Sequence, residues 1–153
     1  MRPSLLVIDA FTTPSPVTVL GETKLTEIVA LMNAHDIRHV PVVDVVQRVL
    51  GIISQRDVNV FASVGDIDDV TASDIMTPNP YTVPAGTPLL EVASHMAGHK
   101  LGSAIVLDSS GKVEGIFTTT DACHALVKIL EGYVWSDKSP RMPEVGEQFE
   151  PPA

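Results

Sequence analysis

The chain has 153 residues, 44% of them apolar and 5% aromatic, with 10 basic against 19 acidic residues and a net charge of −9. That composition supplies an aliphatic core for one domain or for two half-domains sharing a core, and its acidity excludes broad binding to phosphate backbones while leaving small anionic ligands open. The single cysteine, Cys123, excludes an internal disulfide, no apolar run reaches the ~18 residues of a membrane span, and residues 4–8 are too short for a signal peptide, so a cytoplasmic soluble protein is expected.

Residues 1–12 form a lead-in with apolar side chains at Leu5, Ile8 and Phe11, enough for one or two helical turns. The prolines of Thr13-Pro14-Ser15-Pro16 hold extended backbone, and a short strand is predicted at Val17-Thr18-Val19. Thr23 is the candidate N-cap of a helix whose apolar face carries Leu25, Ile28, Val29 and Met32; Glu27 lies one residue beyond the capping-box position. A strand at Val40-Pro41-Val42-Val43 ends in Asp44, and residues 45–48 make an untypical turn into a second strand. That strand runs into the heptad Gly51-Ile52-Ile53-Ser54-Gln55-Arg56-Asp57, which opens a helix over about residues 55–63.

After an acidic linker at residues 65–69 and a segment at 70–76, the pattern starts again. Residues 13–59 align with 77–123 at an offset of 64 without a gap, and 16 of the 47 positions are identical. Thr77-Pro78-Asn79-Pro80 echoes the first proline pair, Tyr81-Thr82-Val83 the first strand, and Thr87 the N-cap, with Pro88 expected at the first helical position. Leu89, Val92, Ala93 and Met96 repeat the helix face, Ala104-Ile105-Val106-Leu107 the middle strand, and Ser109-Ser110-Gly111-Lys112 is turn chemistry. The second heptad, Gly115-Ile116-Phe117-Thr118-Thr119-Thr120-Asp121, opens a helix over about residues 119–131. The expected fold is α+β: two βαββα repeats related by a pseudo-twofold axis, at 13–64 and 77–132, joined by a linker at 65–76. Residues 133–153 read as a flexible tail.

Each heptad admits two chemistries. A hydroxyl (Ser54, Thr118) with a carboxylate three residues later (Asp57, Asp121) makes a capping box at a strand-to-helix junction. The same groups suit an anion at the helix N-terminus, with the carboxylate accepting from ribose hydroxyls. Other signals are weaker. His95 and His99, and His35 and His39, stand four apart as metal ligands can, but a closed site needs more donors. His35 and His99 are repeat equivalents, which a shared packing position explains. Cys123 and His124 are adjacent and point to different parts of a helix surface, so no dyad is expected. Met32 and Met96 belong to the core, and the Asp66, Asp68 and Asp69 cluster lacks the pattern of a calcium loop.

The order of elements, the lead-in Asp74-Ile75-Met76-Thr77-Pro78, the strand Val40-Pro41-Val42-Val43-Asp44 and the two heptads together resemble the CBS domain, in a tandem pair called a Bateman module. The resemblance covers roughly residues 14–132. It implies two clefts that bind adenosine-containing ligands such as AMP, ATP or S-adenosylmethionine, with no catalytic residues and no required cofactor. By position, Asp57 and Asp121 are the ribose carboxylates, Ser54 and Thr118 the paired hydroxyls, and Arg56 and Thr120 the phosphate positions. Thr13, Val17, Thr77 and Tyr81, with Ile37, Arg38, His39, Leu101, Gly102 and Ser103, would enclose the base. Which copy's strands face which Asp stays open. Copy one has Arg38 and Arg56 where copy two has Gly102 and Thr120, so the cleft with Arg56 is expected to prefer phosphorylated ligands. A stand-alone regulatory module follows, homodimeric and acting on an unidentified partner protein, without nucleic acid or membrane. The rival reading is a ligand-independent dimerisation scaffold.

Overall fold

Each repeat builds a four-stranded sheet, and each sheet takes one of its strands from the other repeat. The computed structural model describes residues 6–132; the tail expected at 133–153 lies outside the described residues. The first repeat comprises β1 (Thr13–Pro14), β2 (Val19–Leu20), α1 (Leu25–His35), β3 (His39–Val43), β4 (Val49–Ser54) and α2 (Gln55–Ala62). After the short α3 (Ala72–Ile75) come β5 (Thr77–Pro78), β6 (Thr82–Pro84), α4 (Leu89–His99), β7 (Ser103–Leu107), β8 (Val113–Thr118) and α5 (Thr119–Leu130). The α+β repeat pattern is therefore present twice, with the short strands β2 and β6 displaced toward the C-terminus of the segments predicted for them.

The Thr-Pro pairs do more than hold extended backbone. Strand orders are β2-β3-β4-β5 and β1-β8-β7-β6. Thr13 and Pro14 thus sit opposite Ile116 and Gly115, while Thr77 and Pro78 sit opposite Ile52 and Gly51. Both are edge strands, where a proline's missing N–H breaks no ladder. The crossing explains the heptad glycines. A Cβ at Gly51 would lie 2.6 Å from Met76 Sδ and 2.8 Å from the Thr77 carbonyl oxygen, and one at Gly115 would lie 3.1 Å from the Thr13 carbonyl oxygen.

The two cores are crossed in the same way. Val19, Leu25, Ile28, Met32, Val40 and Ile53 of the first repeat pack with Ala72 and Ile75 from α3. Val83, Val92, Met96, Ala104 and Phe117 of the second repeat pack with Leu6, Ile8 and Phe11, which flank or lie in a 3-10 turn over Ile8–Ala10. Bridges at Val7–Pro88 and Lys24–Thr71 fasten these segments at matching points.

Those fastenings correct the predicted helix caps. Neither Thr23 nor Thr87 caps a helix: α1 and α4 start after Lys24 and Pro88. The first amides are satisfied from outside the helix, Leu25 N donating to the Val70 carbonyl at 2.8 Å and Leu89 N to the Leu6 carbonyl at 2.7 Å. With that donor occupied, a side-chain cap is unnecessary. Thr23 Oγ1 accepts from Leu20 N at 3.1 Å, and Thr87 Oγ1 donates to the Pro84 carbonyl at 2.6 Å, so both close the preceding turn.

The untypical first hairpin has the geometry of the second. Asp44 Oδ1 accepts from Val46 N and Arg48 N at 3.0 and 2.9 Å, and Asp108 Oδ1 accepts from Ser110 N and Lys112 N at 2.8 and 3.0 Å. Gln47 takes a φ of 69°, matching Gly111 at 83°. The Asp at the strand end organises the turn, and the residues between follow it.

Candidate functional site

The heptads place a strand end, a cap and a helix start in immediate succession. Ser54 ends β4 and Thr118 ends β8, and each is the N-cap of the helix that follows. Asp57 Oδ2 accepts from Ser54 N at 2.8 Å while Asp57 N donates to Ser54 Oγ at 3.1 Å. Asp121 Oδ2 accepts from Thr118 N at 2.8 Å and from Thr118 Oγ1 at 3.1 Å. The capping box is thus real in both copies. It occupies one carboxylate oxygen. Oδ1 of Asp121 accepts from Thr13 Oγ1 at 3.4 Å, and among the described residues Oδ1 of Asp57 has no protein partner.

That Thr13–Asp121 contact comes from the exchanged strand. β1 runs beside β8, so the segment from Thr13 to Val17 of the first repeat lies against the second heptad. Between them opens a cavity of about 790 Å³. Its walls are Thr13, Ser15, Pro16 and Val17; His35, Asp36, Ile37, Arg38 and His39 from the α1–β3 junction; and Ile116, Thr118, Thr119, Thr120, Asp121 and His124. This settles the pairing that the repeat left open: copy one's strands face copy two's Asp. A smaller cavity of about 480 Å³ beside Leu20, Val43, Val45 and Leu50 contributes the acidic Glu22 and Asp44 and no cation, which does not suit an anionic ligand.

The same arrangement corrects the expected placing of charge. Arg38 does not share a cleft with Arg56. It lines the cleft of Asp121 and Thr120, because its strand approaches the other repeat's heptad. Gly102 stands at the corresponding place toward Asp57, and a Cβ there would lie 2.9 Å from His39 Nε2. His39 therefore stands between the clefts, lining one and reaching the Gly102 backbone of the other. Burial pushes its imidazole below the usual histidine range, against the attraction of Asp57 and together with Arg38.

At the 64-residue offset, the Asp57 side carries Thr77, Tyr81, Leu101, Gly102, Ser103, Ser54 and Arg56. Tyr81 replaces Val17 with a ring stacked on His95, centroids 4.1 Å apart, and His95 stacks on His99 at 4.0 Å. Burial, then the charge of Glu91, raises the Tyr81 phenol. His35 and His99 were read as a packing position, yet both are exposed. His35, Asp36 and His124 were missed as cleft residues; the recurrence of a histidine at 35 and 99 was the available signal.

The CBS domain family model matches residues 7–61 and 72–128. The chain belongs to the CBS-domain family. It is 31% identical to a CBS domain-containing protein of Dictyostelium discoideum, covering 74% of this chain and 86% of that one. A crystal structure of an acetoin utilization protein from Vibrio cholerae superposes with a TM-score of 0.77 at 30% identity, over 87% of this chain and 98% of that one. The CBS domain pair of protein MJ0100, in complex with 5′-methylthioadenosine and S-adenosyl-L-methionine, superposes with a TM-score of 0.73 at 25% identity, over 79% of this CBS chain and 99% of that one. The chain spans 19–22% of the length of longer relatives such as inosine-5′-monophosphate dehydrogenases of Aquifex aeolicus and Halalkalibacterium halodurans. In the described residues of this CBS pair, no helix is long and apolar enough to cross a membrane.

Proposed function

We propose that this CBS pair is a regulatory module that binds an adenosine-containing ligand in clefts shared between its repeats and passes the signal to a partner protein. The observation that carries the reading is the cavity of about 790 Å³ in which Thr13 of one repeat meets Asp121 of the other at 3.4 Å. Its volume lies in the range of small-molecule sites. One carboxylate oxygen holds the helix cap and the other faces a hydroxyl, so a ribose can compete for that second oxygen. Thr118 Oγ1, which donates to Asp121 Oδ2 at 3.1 Å, can turn instead to an anion at the start of α5. The adenosine ligands of MJ0100's CBS pair are consistent with this chemistry.

Self-association is part of the proposal. α2 exposes Val60 at 56%, and α5 exposes Leu126 at 55%, Val127 at 50% and Leu130 at 59%. Apolar faces of this kind on both post-heptad helices fit a second copy, so light scattering should give a dimer mass at tens of micromolar protein. A monomer mass there would remove this part.

The binding reading is tested by thermal shift with AMP, adenosine and S-adenosylmethionine. A ligand at 100 times its Kd stabilises the fold by about 2.7 kcal/mol. Asn is the right substitution, because Asp57→Asn and Asp121→Asn keep an acceptor for the cap, whereas Ala would lose about 1 kcal/mol of capping at each site. The double Asn variant should remain folded and lose the shift. Retention of the full shift would mean that the ligand binds elsewhere.

A further inference from the structure

The fixed charges of the Asp121 cleft do not favour an anion. Arg38 is its one permanent cation, set against the carboxylates of Asp36 and Asp121. The equivalent positions around Asp57 carry two permanent cations, Arg56 and Lys100, against one carboxylate. The backbone supports that equivalence: Asp36 and Lys100 have φ of 51° and 54°, Ser15 and Asn79 of 47° and 50°. What the Asp121 cleft has instead is imidazole. His35, His39 and His124 all line it; of the equivalent positions only that of His35 keeps a ring, as His99, while the other two are Ser103 and Val60.

Histidine is the side chain that changes charge across the neutral range, and an anion nearby favours the charged form. We propose that the Asp121 cleft is a proton-linked site: it takes adenosine ligands without phosphate when its imidazoles are neutral and phosphorylated ones when they are protonated. The Asp57 side, with permanent cations, takes the phosphate irrespective of pH. The inference rests on the nucleotide reading of the cleft and adds which ligand it selects and what sets the choice.

The groups facing these imidazoles agree with a switch. His35 and Asp36 close the end of α1, Arg38 and His39 open β3, and Asp121 and His124 lie on α5. From α2, Asp57 also acts on His39. His39 is half-buried, and its burial favours the neutral ring in the free protein. A phosphate in the cavity reverses that preference by supplying a counter-charge, so binding draws a proton from solvent.

The test uses the methyl ester of AMP, whose phosphodiester keeps a single charge across the range, with adenosine as the uncharged control. Calorimetric titrations of the Asp57→Asn variant, in which the pH-independent side is weakened, at pH 6 and pH 8 in buffers of different ionisation enthalpy, read affinity and proton uptake at the Asp121 cleft together. The ester should bind about tenfold tighter at pH 6 than at pH 8, with net proton uptake, while adenosine changes little. His124→Lys supplies a permanent cation, so the ester's affinity at pH 8 should rise and the pH slope should shrink. Ester binding with no pH slope and no proton uptake, beside normal adenosine binding, would overturn the inference and leave the nucleotide reading standing. Absence of binding by either compound at both pH values would remove both.

Discussion

The two clefts descend from one pattern but differ in how they carry charge. Around Asp57 the 64-residue offset sets Arg56, Lys100 and Gly102; around Asp121 stand Thr120, Asp36 and Arg38, with three imidazoles along the wall. The repeats conserve what the backbone needs: the capping boxes, the left-handed turns and the hairpin aspartates recur in both. They diverge where side chains point into the cavity. The exchange of β1 and β5 makes that divergence consequential, because the Asp121 cleft receives its hydroxyl and carboxylate from one repeat and its enclosing segments from the other.

The largest effect expected from breaking this arrangement lies at the crossing itself. Gly51→Ala puts a Cβ against Met76 and the Thr77 backbone at 2.6–2.8 Å, which should cost about 2–3 kcal/mol in urea unfolding, in the range of overpacking. Gly115→Ala has its nearest backbone atom at 3.1 Å and should cost about 1 kcal/mol. Equal losses would mean that the two crossings are packed alike. For ligand binding, Arg38→Ala and Arg56→Ala should each weaken AMP by about tenfold, the loss of one charged hydrogen bond, and affect adenosine little. Calorimetry that finds one arginine responsible for both clefts would contradict the division of charge.

A smaller effect sharpens the role of His39. Its folded-state ring is harder to protonate than in the unfolded chain, burial being the main cause. The unfolded state therefore binds the proton first, and the free protein should lose stability as pH falls below the ordinary histidine value, with the loss complete below the lowered one. His39→Asn should flatten that acid-side slope in unfolding curves at pH 5 to 7. An unchanged slope would place the effect on other groups. The smallest change expected is at the first hairpin, where Gln47→Gly relieves a φ of 69° and should stabilise by about 0.5 kcal/mol after the entropy cost of glycine. A loss of stability would show that the Gln47 side chain contributes there.

Much of the fold was legible because it lies in local signals that occur twice. The heptads predicted both strand-to-helix junctions, and the capping boxes follow from Ser54 with Asp57 and Thr118 with Asp121. The helix caps at Thr23 and Thr87 were misread because the satisfying carbonyls, those of Val70 and Leu6, come from distant segments that no local motif announces. The strand exchange was hidden for the same reason. A repeat leaves open whether a strand pairs within its own copy or across, and Thr-Pro marks extended backbone without naming its partner. Placing Arg38 with Arg56 followed from assuming uncrossed copies. His35 and His124 were weighed only as packing, metal or dyad residues, because the repeat of a histidine at 35 and 99 does not say which element faces it.

If β1 and β5 are exchanged as the sheets show, the Asp121 cleft is built from both repeats. A double-mutant cycle on AMP affinity tests it, using Arg38→Ala, Asp121→Asn and Asp57→Asn, alone and in pairs. Residues in one site couple by at least about 0.5 kcal/mol, whereas independent ones add. Arg38 should couple to Asp121, its neighbour across the repeats, and be additive with Asp57 of its own repeat. Coupling of Arg38 to Asp57, with additivity toward Asp121, would contradict the crossed architecture.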